Sequence, residues 1–284
     1  MCVPGTLETV RERIEREGPP RLSRRTALAA GAGAAVAAAL PGSASARGRH
    51  DRRWGHRPRL VDLSHEFRDD FPAFPNVPAT SRMTAVTIPA NGFYGQVWTI
   101  WEHICTHMDV PAHFVEGGRT SAELPIEELI APIVVVDISR RVASEPDTVV
   151  TPDDLARFER RYGRIPRGSV VAMYSGWEAR VASVEAYRNT DATGTMRFPG
   201  FGKEAVDWLL DRRRIRGIGV DTMSLDHGSS STFDVHLSVL AADRYGVENL
   251  RNLARLPARG ATLFLGLIPW REGSGGPCRA FARV

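Results

Sequence analysis

The chain has 284 residues, of which 43% are hydrophobic and 25% charged, and a formal net charge of +4 at pH 7. The length suits one large domain or two small ones, with enough chain to bury a core. Three cysteines are too few for a disulfide framework, and the basic residues form no stripe interleaved with aromatic residues, so neither a disulfide-stapled fold nor nucleic-acid binding is expected.

The first 46 residues have the organisation of an export signal. A charged stretch with Arg24 and Arg25 precedes an apolar Ala/Gly run over residues 27–40, and the sequence A-S-A ending at Ala46 is a small-x-small cleavage site. The arginine pair resembles a twin-arginine signal. We predict export to the periplasm or the extracellular space. No stable membrane insertion is expected, because the run is short and weakly apolar. The alternative is a buried alanine-rich helix.

The mature chain is predicted to begin with a flexible linker over residues 47–58, which are rich in arginine, histidine, glycine and proline. Alternating polarity predicts a first strand at residues 59–64. Prolines and phenylalanines then crowd the loop at residues 67–78. Phe71 and Phe74 of this loop are expected either to form the rigid wall of an apolar pocket or to plug the core.

Two strands are predicted at residues 83–88 and 94–102, with a turn at Asn91 and Gly92 between them. The second strand runs into W-E-H-I-C-T-H-M-D-V-P-A-H-F at residues 101–114, which contains three of the chain's eight histidines. Its chemically active residues occupy odd positions. Because side chains alternate along a strand, an extended conformation would turn them to one face. These residues are His103, Cys105, His107 and Asp109.

Two imidazoles and a carboxylate on one face are the ligands that zinc, manganese or iron(II) accepts in proteins. His103, His107 and Asp109 are therefore the predicted ligands. Pro111 argues against a helix here, and His113 would follow from a loop as a candidate general acid/base. The alternative is a set of histidines that pair with surface carboxylates.

The rest of the chain alternates helical and strand patterns. Helices are predicted at residues 123–129, 151–161 and 201–213, the second with Thr151 as N-cap. Apolar runs predict strands at residues 133–138, 169–174, 215–221 and 261–268. A mobile loop is expected at residues 273–277, before a short C-terminal strand. Together these patterns predict a single α/β domain over residues 59–284.

A second candidate metal pair lies further along the chain. His236 begins a helical pattern that extends to about Tyr245, and Glu248 follows this pattern. Both side chains could reach one point, and Asp109 could then bridge two ions. Nearby carboxylates make the region acidic, as a divalent cation prefers; they are Asp221, Asp226 and Asp234. The alternative is a capped surface helix.

The sequence H-I-C-T-H-M-D-V-P-A-H resembles the H-x-G-T-H-x-D-x-P-x-H signature of the cyclase family, which includes bacterial kynurenine formamidases and isatin hydrolases. The resemblance covers the mature chain and includes S-G-W at residues 175–177, G-I-G-V-D-T-M-S-L-D at residues 217–226 and the spacing from His236 to Glu248. It implies an α/β fold, a swivelling β/β/α domain with a mixed sheet and flanking helices. It also implies a homodimer or homotetramer.

The resemblance further implies roles for single residues. A divalent zinc or manganese ion would be held by His103, His107 and Asp109. A second ion, where present, would be held by Asp109, His236 and Glu248. His113 would be the proton-transfer residue. Phe74 stands where formamidases place an aromatic residue beside the substrate ring, and Phe71 and Trp177 are expected to complete that apolar pocket. Cys105 replaces a glycine of the signature.

The expected function is an exported hydrolase that cleaves a small amide, lactam or lactone with a metal-activated water. It would be arylformamidase-like and act on C–N bonds other than peptide bonds. One alternative is a cysteine hydrolase with Cys105 as nucleophile and His107 or His113 as base. Another is a non-catalytic exported protein that binds a metal or a ligand. Cys105 is expected to pack, and its alternatives are an extra soft ligand or a disulfide with Cys278.

Overall fold

A computed structural model describes residues 59–284. The predicted export signal over residues 1–46 and the predicted linker over residues 47–58 lie outside the described residues. Within the described part, Ser81–Thr99 belongs to one compact unit, while residues 59–80 and Ile100–Val284 belong to a second. None of the helices in this part of the chain has the length and hydrophobicity needed to cross a bilayer.

The smaller unit is a hairpin. Strand β2 (Ser81–Val86) pairs antiparallel with β3 (Gly95–Thr99), and the short helix α1 (Ile88–Asn91) joins them. Gly92 ends this helix in the left-handed conformation (φ 80°), where glycine carries no side-chain strain, and its N–H binds the Ile88 carbonyl. The predicted strand pair is therefore present, with a helical turn where strand residues 87 and 88 were expected.

The larger unit is built on a mixed sheet of eight strands. Its strands are β1 (Leu60–Asp62), β4 (His107–Asp109), β5 (Ile130–Asp137), β7 (Val170–Tyr174), β9 (Gly217–Val220), β10 (Tyr245–Glu248), β11 (Ala261–Leu267) and β12 (Gly275–Arg283). Their order is β1-β12-β11-β5-β7-β9-β10-β4, and β12 also pairs with β4. The four central strands β5, β7, β9 and β10 are parallel, while β4 runs antiparallel to β10. Two short parallel strands, β6 (Val149–Val150) and β8 (Gly200–Phe201), pair separately.

Helices flank this sheet, and two hydrophobic clusters form the core. The helices are α2 (Ser139–Val142), α3 (Pro152–Tyr162), α4 (Val184–Arg188), α5 (Lys203–Arg213) and α6 (Asp234–Ala241). Strand β5 contributes Val134 and Val136 to one cluster and Ile133 and Val135 to the other. Because alternate side chains point to opposite faces, this apolar run is buried on both sides of the sheet. The predicted mixed α/β fold is thus confirmed.

Local chemistry explains where the elements begin and end. Thr151 caps α3 as predicted, because its hydroxyl accepts the Asp154 N–H. The helix expected at residues 123–129 is instead two 3-10 turns, Ser121–Glu123 and Ile126–Leu129, with Pro125 between them. Helix α6 stops well before Tyr245, because Tyr245–Glu248 is a strand held between β9 and β4.

The segment at residues 273–277 was expected to be a mobile loop, but strand β12 already begins at Gly275. A Cβ atom at Gly275 would lie 2.3 Å from the Met108 carbonyl oxygen and 2.8 Å from the His103 ring. Glycine is needed here so that β12 can approach β4 and the histidine closely. The glycine-rich segment therefore reflects close packing where β12 pairs with β4.

A buried carboxylate organises the turn that follows β7. Asp221 is fully buried and accepts the N–H groups of Ser175, Gly176 and Trp177 at 2.8–3.1 Å, as well as the Ser175 hydroxyl at 2.5 Å. Burial raises the pKa of Asp221 to about 7, although these hydrogen bonds oppose the shift. Gly176 adopts φ 77° in this turn. The S-G-W sequence is therefore drawn inward by one side chain.

Replacing Asp221 with alanine is expected to lower the free energy of unfolding by about 2–4 kcal/mol, because three backbone N–H groups lose their acceptor in a buried site. Urea denaturation measures this loss. Asp207→Ala is the matched control, since Asp207 makes a surface ion pair with Lys203 and should cost less than about 1 kcal/mol. Equal losses in the two variants would show that the turn does not depend on Asp221.

The same carboxyl predicts a pH dependence. Its raised pKa means that the folded state holds a proton between about pH 4 and pH 7 that the unfolded chain has released. The contribution of Asp221 to stability therefore falls as the pH rises through this range. Comparing the wild type with Asp221→Asn, which cannot titrate, the stability advantage of the wild type should be smaller at pH 7 than at pH 4.

Candidate metal centre

Five candidate ligands converge from four parts of the larger unit. His107 and Asp109 lie two residues apart on β4, so their side chains share one side of that strand. Glu248 lies at the end of β10, directly opposite His107 in the antiparallel pair. His236 comes from α6, and His103 precedes β4. The predicted ligands at residues 103–109 thus meet the pair His236 and Glu248, which is far away in the sequence.

These side chains form two overlapping groups that share Asp109. His103, His107 and Asp109 form the first group, and Asp109, His236 and Glu248 form the second; within each, the potential ligand atoms lie within 4.8 Å of one another. Asp109 Oδ1 is 2.6 Å from His103 Nδ1 and 3.3 Å from His107 Nε2. Glu248 lies 3.3 Å from His107 Nε2 and 3.1 Å from His236 Nε2.

Each histidine uses its other ring nitrogen to hold its orientation. His107 Nδ1 donates to the Cys105 carbonyl at 2.8 Å, and His236 Nδ1 donates to Asp226 at 2.7 Å. His103 Nε2 lies 2.8 Å from the hydroxyl of Ser274, which in turn donates to Glu102. Such partners fix the tautomer and direct the free nitrogen toward a bound metal. Ser274 was not identified from the sequence, since it lies in the segment expected to be mobile.

The electrostatics of this site suit a divalent cation. Asp109 and Glu248 are both buried, and Asp109 Oδ2 has no hydrogen-bond partner among the described residues. Although Asp109 Oδ1 contacts two histidines, a buried carboxylate oxygen that lacks a hydrogen bond is costly unless a positive charge compensates it. Burial opposes protonation of His107, yet Asp109 and Glu248 together raise its pKa to about 10. Because histidine nitrogens and carboxylate oxygens are ligands for zinc and manganese, the residues fit such an ion.

His113 stands beside the ligands and belongs to neither ligand group. It ends the 3-10 turn Pro111–His113, which directly follows β4. Its ring stacks on His103, with 3.6 Å between the ring centroids, and its centroid lies 6.2 Å from that of His236 in an edge-to-face arrangement. Burial, with smaller contributions from neighbouring groups, lowers the pKa of His113 to about 4. A neutral imidazole at this place can accept a proton.

Three phenylalanines form an aromatic wall next to His236. The ring centroid of Phe114 lies 5.0 Å from that of His236 and 5.6 Å from that of Phe233. The centroids of Phe233 and Phe74 are 6.2 Å apart. Phe233 precedes α6 with φ 53°, a left-handed conformation that is uncommon for a bulky residue. Phe74 lies at one end of this wall, partly buried against the core, and its role beside a substrate stays a prediction. Phe114 and Phe233 were not identified from the sequence, because no sequence pattern marks an isolated phenylalanine as a neighbour of the metal ligands.

The structure places Phe71 and Trp177 in the interior rather than on this wall. Trp177 is 1% exposed, donates from its indole nitrogen to the Tyr187 carbonyl and packs against Phe198. Its position follows from the inward turn that Asp221 holds. Phe71 is also buried and packs with Ile104. Both aromatic residues therefore stabilise the fold around the site.

Cys105 lies outside both ligand groups. It precedes β4 with φ 57°, so the strand alternation expected for it fails at this residue. Its side chain is buried against Phe71 and Ile104, with Sγ 3.6 Å from the Glu66 carbonyl oxygen. Burial raises the pKa of Cys105 to about 11, which keeps the thiol protonated and weakly nucleophilic. Cys105 and Cys278 are both free thiols.

The variant Cys105→Gly is expected to retain metal content, and its activity should change less than about twofold, because the thiol touches no ligand group. Glycine relieves about 1 kcal/mol of left-handed strain and loses about 1 kcal/mol of buried contact, so stability should stay nearly constant. Elemental analysis measures the metal content and thermal unfolding measures the stability. Cys278→Ala, which removes the other buried free thiol, is the control. Abolished turnover with unchanged metal content would instead favour Cys105 as a nucleophile.

Comparisons with known proteins connect this geometry to a family. The family model described as "Putative cyclase" matches residues 61–227. The isatin hydrolase of Roseibium aggregatum is 33% identical over 202 residues, which cover 68% of this chain and 76% of that protein. The kynurenine formamidase of Bordetella pertussis is 27% identical over 194 residues, covering 68% of this chain and 83% of that protein.

A solved structure shows the same fold at comparable identity. Isatin hydrolase A from Labrenzia aggregata, bound to benzyl benzoate, is 31% identical and superposes with a TM-score of 0.75, covering 80% of this chain and 93% of that one. The family match spans more than half of the chain and includes β4 with His107 and Asp109. On the strength of this match and of the shared fold, the chain belongs to the cyclase family.

Proposed function

We propose that the protein is a metal-dependent hydrolase that cleaves the C–N bond of a small aryl amide, either cyclic or linear. The observation that carries this proposal is the position of His113, which stacks on His103 of the overlapping ligand groups and contacts Phe114 of the aromatic wall. The names of the relatives, isatin hydrolase and kynurenine formamidase, support hydrolysis of amide bonds. A lactone is the second substrate class that the same chemistry would accept.

A divalent ion at this site would supply a Lewis acid for the carbonyl oxygen and a water of lowered pKa. Every other task falls to side chains of the chain. Asp109 and Glu248 balance the charge, while Asp226 and the Cys105 carbonyl hold two of the histidines in position. A ring nitrogen of His113 takes the proton of the attacking water and returns it to the leaving nitrogen.

The aromatic wall would select the acyl or aryl part of the substrate. Phe114 and Phe233 contact each other and His236, and Phe233 also contacts Phe74, so an aromatic ring could pack against this wall beside the reacting carbonyl. Ring packing of this kind stabilises a flat aryl substrate. A short aliphatic amide would lack this contact and should be a poorer substrate.

The test combines metal analysis with turnover. The protein, purified without chelator, is expected to contain one or two equivalents of zinc or manganese per chain. It should hydrolyse at least one of isatin, an aryl formamide and an aryl lactone. Chelation should abolish this activity, and added zinc or manganese should restore it. A fully active metal-free protein, or a protein that takes up no metal, would refute the proposal.

We also propose that the protein is exported by the twin-arginine route and assembles as a homodimer or homotetramer. The export part is supported by the sequence of residues 1–46, and the assembly part by the family resemblance. Fusion of residues 1–46 to a reporter should direct it out of the cytoplasm, and Arg24→Lys with Arg25→Lys should retain it. Light scattering after size-exclusion chromatography measures the oligomer, and a monomer would refute the assembly part.

A further inference from the structure

A surface cavity of about 550 Å³ is lined almost entirely by arginine and contains none of the candidate metal ligands. We call its six arginines the arginine cluster: Arg164, Arg167, Arg212, Arg213, Arg214 and Arg259. The remaining lining residues are Ile165 and Pro166. The cluster draws on three separate segments of the chain. This is why the sequence shows only the run at residues 212–214.

Two helices end at this cavity and are clamped together there. Glu159 near the end of α3 accepts two hydrogen bonds of 2.6 Å from Arg213, the last residue of α5. The residues that follow the helices are also tied, since the Gly168 N–H binds the Arg214 carbonyl at 3.1 Å. The arginines are therefore gathered by a rigid junction of the fold.

The cluster carries far more positive charge than its surroundings neutralise. Among the described residues, Arg213 is the only one of the six that forms an ion pair, and its partner is Glu159. The other five guanidinium groups have no carboxylate within ion-pair distance. Arg164 is near enough to Glu159 to help lower the pKa of that carboxyl, and Arg164 and Arg259 donate to the backbone carbonyls of Arg212 and Tyr162. A simpler explanation for the clustering is that arginine is favoured at helix C-termini, where the helix dipole is equivalent to about half a negative charge. Two such termini offset only about one of the five charges.

The lining also indicates what kind of anion would bind. The planar guanidinium group donates two parallel hydrogen bonds to phosphate-type oxygens, and its charge persists at every relevant pH. No aromatic residue lines the cavity, so an aryl acid would find no ring to pack against. Several guanidinium groups around one cavity instead suit a small anion with several charged oxygens. We propose that the arginine cluster binds a free, multiply charged oligophosphate.

The neighbouring cavity at the end of β5 shows the contrast. It is of similar size, about 640 Å³, and is also lined by arginines. There, however, Asp154 accepts two hydrogen bonds from Arg141 and one from Arg157, and Phe158 and Tyr162 belong to the lining. Two of its four arginines, Arg141 and Arg157, thus share the Asp154 carboxylate, whereas only one of the six arginines of the cluster has a carboxylate partner among the described residues.

Calorimetric titration of the metal-loaded protein with tripolyphosphate tests the proposal. The triple variant Arg167→Gln, Arg212→Gln and Arg214→Gln removes three arginines and leaves the Arg213–Glu159 pair intact. The control Arg255→Gln, Arg271→Gln and Arg283→Gln removes the same charge elsewhere on the surface. We expect the cluster variant to weaken binding at least about tenfold and the control to weaken it less than about threefold, since general surface charge acts weakly and is screened by salt.

Three further measurements separate the alternatives. Tripolyphosphate also chelates divalent ions, but loss of metal would be equal in all three proteins and is checked by elemental analysis. Hydrolase turnover should be unchanged in the cluster variant, so this test is independent of the proposed function. Vesicles containing phosphatidylglycerol supply phosphate on a lipid surface. Binding to vesicles alone, an equal loss in both triple variants, or no binding of tripolyphosphate to the wild type would each overturn the proposal.

Discussion

Replacing Asp109 with alanine is expected to abolish metal binding and to lower turnover by at least about 10³-fold, equivalent to about 4 kcal/mol of activation free energy. Asp109 belongs to both ligand groups, and one of its buried oxygens lacks a hydrogen-bond partner among the described residues. Removing it therefore removes a ligand of either possible ion. Elemental analysis of the purified variant and its kcat with the preferred substrate measure the two effects.

A graded control strengthens this prediction. Asp226 does not face the proposed ion but holds His236 through two contacts, to its backbone N–H and to its ring nitrogen. Asp226→Asn should therefore weaken metal affinity by about 10–100-fold without abolishing it, as is usual for residues that orient a ligand. Circular dichroism shows whether each variant is folded. A folded Asp109→Ala protein that retains its full metal content would refute the assignment.

The second large effect is expected for His113→Gln, which should lower kcat by about 10²–10⁴-fold and leave the metal content unchanged. His113 belongs to neither ligand group, and burial lowers its pKa, which keeps the imidazole neutral. Glutamine keeps a polar side chain of similar reach but cannot transfer a proton in this way. Steady-state kinetics and elemental analysis on the same preparation separate a loss of kcat from a loss of metal.

Phe114→Leu is the matched control for His113→Gln, because it changes the adjacent residue in the aromatic wall and no proton carrier. It should raise KM and leave kcat within about threefold of the wild type, since it removes ground-state and transition-state contact alike. Loss of metal from the His113→Gln variant would contradict the role in proton transfer and would assign His113 as a ligand. An unchanged kcat would remove it from the mechanism.

The metal ligands of β4 could be predicted from the sequence because they lie close together in it. His107 and Asp109 share one side of a strand by simple alternation, and this is the arrangement in the structure. The same rule failed for Cys105, two residues earlier, because a left-handed residue interrupts the extended chain. That backbone conformation also explains why glycine occupies this position in the family signature.

The pairing of His236 with Glu248 was weak on spacing alone. Sequence reasoning expected one helix to bring both side chains together, whereas the structure uses helix α6 for His236 and strand β10 for Glu248. Strand order placed β10 beside β4, so Glu248 lies opposite His107. Neighbours across a sheet depend on strand order and register, which local patterns do not encode.

The sequence by itself determined the local features of this protein: the mixed α/β class, the capped start of α3 and the histidine–aspartate set on β4. Each depends on residues within a few positions of one another. Only the tertiary structure decided that Trp177 is a core residue, that Phe233 joins the aromatic wall and that Gly275 lets β12 approach His103. It also decided that arginines from three segments share one cavity. Such contacts join residues far apart in the chain, and they form only when the packed sheet and helices set the distance between them.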